Sequence, residues 1–130
     1  MTELNINCMD RVVDELAKGK TISEALESVY YKRKVRVPIR DNVTSIKIED
    51  LGLAGRTTNA IKRAHLNTIG DVVEFVERGR NMTDIPALGR VSIRDFMEAV
   101  LNYSWNLMSL QEKVDFLMTT VERNVCNIRL

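Results

Sequence analysis

Asp50-Leu51-Gly52-Leu53-Ala54-Gly55-Arg56-Thr57-Thr58-Asn59-Ala60-Ile61-Lys62-Arg63-Ala64 is the stretch on which the fold turns. An apolar-glycine-apolar turn runs straight into a helix, predicted from about Arg56 to Ala64, with Leu53, Ala60, Ile61 and Ala64 facing inward. Glycine lets such a turn bring its backbone close to another molecule, and the free amides of the helix start offer donors and partial positive charge to an anion. A second turn of the same form, Leu88-Gly89-Arg90 ahead of Ser92, lies in Ile85-Pro86-Ala87-Leu88-Gly89-Arg90. One such turn often merely ends a helix. Two in one small helical unit fit a helix-hairpin-helix arrangement that grips the phosphates of a nucleic acid.

Between the turns, Thr68-Ile69-Gly70-Asp71 reads as a capped start to a helix that buries Ile69, Val72, Val73 and Val76, and Arg78-Gly79-Arg80-Asn81 breaks it. After the second turn a helix is predicted from about Val91 to Asn102, burying Ile93, Phe96, Met97 and Val100. Toward the N-terminus, Lys34-Val35-Arg36-Val37-Pro38-Ile39 alternates charged and apolar residues, and its proline confines it to an edge strand or extended linker. Ahead of it lies a predicted helical hairpin. Its first helix, about Asn7 to Lys18, carries Met9, Val12, Val13 and Leu16 at helical spacing and stops at Gly19. Its second opens on the capping box Thr21-Ile22-Ser23-Glu24, with Ile22, Ala25, Leu26 and Val29 as its stripe. Nothing after Tyr31 reads as a recognition helix, so the hairpin suits packing or dimerisation better than a helix-turn-helix. A third capping box, Ser109-Leu110-Gln111-Glu112, opens a C-terminal helix with Val114, Leu117, Met118 and Val121 on one face, ending near Arg123. That face must cover either the N-terminal hairpin or the same helix of a second copy. The expected division is 1–45 (helical hairpin and basic extended segment), 46–104 (the turn-bearing helical domain) and 105–130 (C-terminal helix).

Composition limits what the protein can do. Its 130 residues hold one domain, or a small domain with an appendage, and 45% hydrophobic against 28% charged residues suffices to bury a core. One Trp, three Tyr and three Phe are too few for a stacking platform for single strands, so any nucleic acid bound should be duplex. No apolar run is long enough for a membrane span, and Asp10, Asp14 and Glu15 occupy the place of a signal peptide's apolar stretch, which points to the cytoplasm. Cys8 and Cys126 lack metal-ligand spacing and are expected as reduced thiols, and His65 is the sole histidine. No catalytic residue, metal or cofactor is therefore expected, and the protein reads as a non-enzyme. With 19 Lys and Arg against 18 Asp and Glu the net charge is only +1, so charge matters locally. From Ser28 to Arg40 there is no acid, while Lys32, Arg33, Lys34 and Arg36 form a basic patch that serves as a solvated edge, an auxiliary phosphate grip or a dock for an acidic partner.

The ordered series Asp50 to Ala64, then Asn67-Thr68-Ile69-Gly70-Asp71, then Ile85-Pro86-Ala87-Leu88-Gly89-Arg90-Val91-Ser92-Ile93, strongly resembles the C-terminal domain of the bacterial RNA polymerase alpha subunit, over about residues 46–101. The resemblance implies an all-α, compact helix-hairpin-helix-containing domain, here flanked by the N-terminal hairpin and the C-terminal helix. It also implies a transcription-related function in which the domain contacts A+T-rich duplex DNA through the minor groove and phosphates, with RNA polymerase, sigma factor or activators as further partners. By motif, the family's minor-groove arginine falls on Arg56 and its asparagine on Asn59. A second cluster falls on Gly89, Ser92 and the acidic position Asp95, with Arg90 beside it and Lys62 on the first helix. An arginine in a narrow A-tract groove meets enhanced negative potential, which makes that assignment chemically coherent.

The sequence departs from the family at Val91, where a backbone-contacting lysine is usual, at Gly55, and in about two extra residues within Val76 to Thr83. One phosphate contact is lost, for which Arg90, Arg78 or Arg80 can compensate. Competing readings are an Arg56 paired to Asp50 or another acid, an Asn59 that is a plain surface amide and a Ser92 that caps its helix, while His65 is expected to be a partly buried packing residue rather than a titrating switch or ligand. For the whole protein, the alternative is an interaction adaptor or decoy that binds polymerase, sigma factor or activators with little DNA affinity. Dimerisation through the flanking helices would raise the effective concentration of a weak DNA-binding module.

Overall fold

The structure, a computed structural model, describes residues 3–30 and 41–124, the side chain of Leu4 excepted. Among these residues it is all-α, with α1 (Glu3–Ala17), α2 (Ile22–Tyr30), α3 (Gly55–Arg63), α4 (Ile69–Glu77), α5 (Arg90–Leu107) and α6 (Leu110–Arg123). Short 3₁₀ turns at Asp41–Val43, Ile48–Leu51 and Met82–Asp84 link the middle helices. The chain divides into two compact units, one of residues 39–104 and the other of residues 1–38 with 105–130. The basic segment with Lys32, Arg33, Lys34 and Arg36 lies outside the described residues, as does Cys126.

The central unit is built on Val43, Ile48, Ala60, Ile61, Leu66, Ile69, Val72, Met82, Ile85, Leu88, Phe96 and Val100, which form one buried cluster. Its layout follows from a short antiparallel pairing beside α4. The Ile48 N–H donates to Asn67 C=O at 3.0 Å, Ile69 N–H to Ile46 C=O at 2.9 Å, and Gly70 N–H to Thr44 C=O at 2.8 Å. A Cβ on Gly70 would stand 2.8 Å from the Thr44 carbonyl oxygen, so this approach is possible only without a side chain. The start of α4 is closed by its own residues. Thr68 Oγ1 accepts the Asp71 N–H at 3.1 Å, and the Asp71 carboxylate accepts the N–H groups of Asn67 and Thr68 at 2.9 and 3.1 Å. Those amides hold the Asp71 carboxyl below the usual aspartate range. The two ends of the unit are joined by a reciprocal pair: Ser104 Oγ donates to Asn42 Oδ1 at 3.0 Å, and Asn42 Nδ2 donates to Ser104 C=O at 3.3 Å.

In the other unit α1 packs on α2 and on α6, burying Cys8, Val12, Ile22, Leu26, Val29, Phe116, Leu117 and Val121. Trp105 meets Phe116 edge-on at 5.8 Å, with the Lys113 ammonium 5.2 Å above the indole. The predicted capping boxes at Thr21–Glu24 and Ser109–Glu112 are both formed.

Some expectations need correction. Helix α1 begins at Glu3 rather than near Asn7, and α5 runs on to Leu107 because nothing between Asn102 and Ser109 breaks it. Val76 and Met97, assigned to buried faces, are 49% and 44% exposed, since their neighbours cover a narrower arc than the apolar stripe spans. Cys8 is fully buried and disulfide-bonded rather than a free thiol, which spacing alone does not indicate. His65 is exposed with φ 63°, not packed. It ends α3 in a Schellman arrangement, with His65 N–H donating to Lys62 C=O at 3.0 Å and Leu66 N–H to Ile61 C=O at 3.4 Å.

Candidate nucleic-acid interface

The entry to α3 differs from the capped starts around it. The turn Ile48–Leu51 is stopped by Gly52 at φ 69°, a left-handed conformation for which glycine is the natural choice. The backbone then extends through Leu53 and Ala54, and the Ala54 side chain makes no capping bond. Its carbonyl accepts from Thr57 at 3.0 Å and Thr58 at 3.1 Å, which leaves the amides of Gly55 and Arg56 ahead of the first intrahelical bond. A Cβ on Gly55 would meet nothing within 4 Å, so the fold itself does not require glycine there. These amides and the helix dipole form an open, partly positive surface.

Side chains on α3 divide cleanly. Thr57, Ala60 and Ile61 are buried against the core, while Arg56, Asn59, Lys62 and Arg63 are exposed. Arg56 has no ion pair among the described residues, with Asp50 or any other acid. Lys62 is engaged: its Nζ lies 3.2 Å from the Glu49 carboxylate, and that ammonium draws the Glu49 pKa below its usual value. Arg63, seven residues beyond Arg56, is a residue that sequence reasoning missed, although the helical spacing indicates it.

The second turn reaches α5 by a different backbone route. Leu88 N–H closes the turn onto Ile85 C=O at 3.2 Å, and the left-handed residue is Ala87, at φ 66°, rather than Gly89. The Gly89 carbonyl accepts the Ile93 N–H at 3.0 Å from the helix start, and a Cβ there would also meet nothing within 4 Å. Arg90 and Asp95 are exposed, whereas Ser92 is buried to 7% in the first turn of α5. Val91 is 58% exposed, an apolar residue at the mouth of the turn.

Of the arginines considered as compensation for Val91, Arg78 pairs with Glu74, and Arg80 stacks 5.1 Å from the Phe75 ring and lies 4.0 Å from Asp84. Arg90 has no ion pair among the described residues. No group of three or more His, Cys, Asp or Glu suited to a metal occurs among the described residues, and no helix there is long and apolar enough to cross a membrane.

Known sequences similar to this chain belong to one family. The family described as the C-terminal domain of the bacterial RNA polymerase alpha chain matches residues 38–102. The DNA-directed RNA polymerase subunit alpha of Gloeobacter violaceus is 33% identical over 60 residues, covering 46% of this chain and 18% of that protein. The corresponding subunit of Aquifex aeolicus is 30% identical over 98 residues, covering 72% of this chain and 29% of its own length. The chain thus spans less than a third of either relative. No solved structure matches it.

Proposed function

The chain belongs to the family of bacterial RNA polymerase alpha C-terminal domains and is a transcription-related protein, and from that premise we propose that it is a non-catalytic binder of A+T-rich duplex DNA. In this reading the Arg56 guanidinium enters the minor groove, Asn59 follows one helical turn later, and the amides at Gly55 and Gly89 hold flanking phosphates. Arg90, Ser92, Asp95 and Lys62 complete the proposed surface, with Lys32, Arg33, Lys34 and Arg36 as an auxiliary grip. The carrying observation is the uncapped start of α3 beside an exposed Arg56 that has no ion pair among the described residues.

A unit that neutralises about four phosphates loses roughly a hundredfold in affinity between 50 and 200 mM salt, so it needs help at cellular ionic strength. Homodimerisation, or docking on RNA polymerase, sigma factor or an activator in the cytoplasm, would supply it. The exposed Val91 favours the second reading, an adaptor that binds those proteins with little hold on DNA.

Fluorescence anisotropy of A+T-rich and G+C-rich duplexes across a salt series, with wild type and Arg56→Ala, separates the two. Tighter binding to the A+T-rich duplex that disappears in Arg56→Ala is expected. A folded protein that binds neither duplex at about 50 mM salt leaves the adaptor reading.

A further inference from the structure

The geometry points to Arg63 as a second anchor on α3, contacting the DNA backbone rather than the bases; this rests on the DNA-binding reading above. At 100° per residue, Arg56, Asn59 and Arg63 fall within about 60° of one another around the helix. The buried Thr57 and Ile61 lie about 100° or more from each of them, while the buried Ala60 borders the stripe at about 40° from Arg56. Lys62, about 60° beyond Asn59 around the helix, is already paired with Glu49 at 3.2 Å. Arg63 is exposed and has no ion pair among the described residues.

Distance along the helix indicates what Arg63 would meet. Seven residues at 1.5 Å rise separate Arg56 from Arg63 by about 10 Å, more than the roughly 6 Å width of the minor groove. With Arg56 in the groove and α3 laid across it, Arg63 stands over the bordering phosphates. Its contact is therefore electrostatic and indifferent to sequence, and it offsets the phosphate contact missing at Val91. A role limited to the C-terminal dipole of α3 would affect stability but not counterion release.

The test is the salt dependence of binding of the full-length protein to the A+T-rich duplex, for wild type, Arg63→Ala, Arg63→Lys and Arg56→Ala, with circular dichroism to verify folding. Arg63→Ala is expected to lower the slope of log K against log salt by about 0.9, to keep the A+T preference, and to be rescued by Arg63→Lys. An Arg63→Ala slope equal to wild type, with the A+T preference still dependent on Arg56, overturns the Arg63 assignment alone. No DNA binding by the wild type removes the interface reading itself.

Discussion

Helices α3 and α4 are neighbours of nine residues each, yet their first turns are built in opposite ways. The α4 start is closed: Thr68 and Asp71 satisfy each other's amides, and Gly70 is pressed against the Thr44 carbonyl. The α3 start is open, with no cap from the Ala54 side chain and free space at Gly55. A glycine can therefore stand at a helix start for two unrelated reasons, the fold's own packing or access for something outside it. The letters alone do not distinguish them; the atoms around the absent Cβ do.

The contrast is broken most severely at Gly70. Gly70→Ala forces a Cβ onto a backbone oxygen and should cost about 1–3 kcal/mol in urea unfolding, whereas Gly55→Ala should leave stability equal or slightly higher. Equal losses at both glycines would erase the distinction. Thr68→Ala removes the α4 cap and should cost about 1 kcal/mol.

That box also predicts a pH dependence. The folded Asp71 pKa is depressed by the Asn67 and Thr68 amides, so its stabilising contribution is complete above the ordinary aspartate value of about 3.9 and fades as pH falls through the lower folded value. Asp71→Asn should flatten the acid limb of a stability profile; an unchanged limb would contradict this. Ala54→Asp sharpens the comparison from the other side. It gives α3 the cap and dipole partner it lacks, for about 0.5–1 kcal/mol of added stability, while placing a negative charge where phosphate is proposed to bind. Loss of A+T-rich DNA binding by a more stable protein is the expected pair of results. The smallest effect is expected at His65→Gly, about 0.5 kcal/mol of stabilisation by relieving a left-handed histidine at the end of α3.

Much of this is legible in the sequence because it is local. Capping boxes lie within four residues, and the stripes of Ala60 with Ile61, of Ile69 with Val72, and of Phe96 with Val100 each follow one helical period. What escapes depends on partners remote in sequence. Nothing in the order of residues indicates that Glu49 claims Lys62 while Arg56 has no ion pair among the described residues, or that Asn42 meets Ser104. Apolar periodicity marks the face of a helix but not the width of what covers it, so Val76 and Met97 read as core. A left-handed terminus usually announces itself by glycine, as Gly79 does at φ 85°, and His65 gives no such signal.

The reciprocal bond between Asn42 and Ser104 joins the two points at which the backbone enters and leaves the central unit. A unit whose ends meet can be spliced into a surface loop of a host without prying that host apart. Residues 39–104 fall between the two stretches of chain, 1–38 and 105–130, that make up the other unit, an order of chain that suits the turn-bearing module to transfer between scaffolds by design.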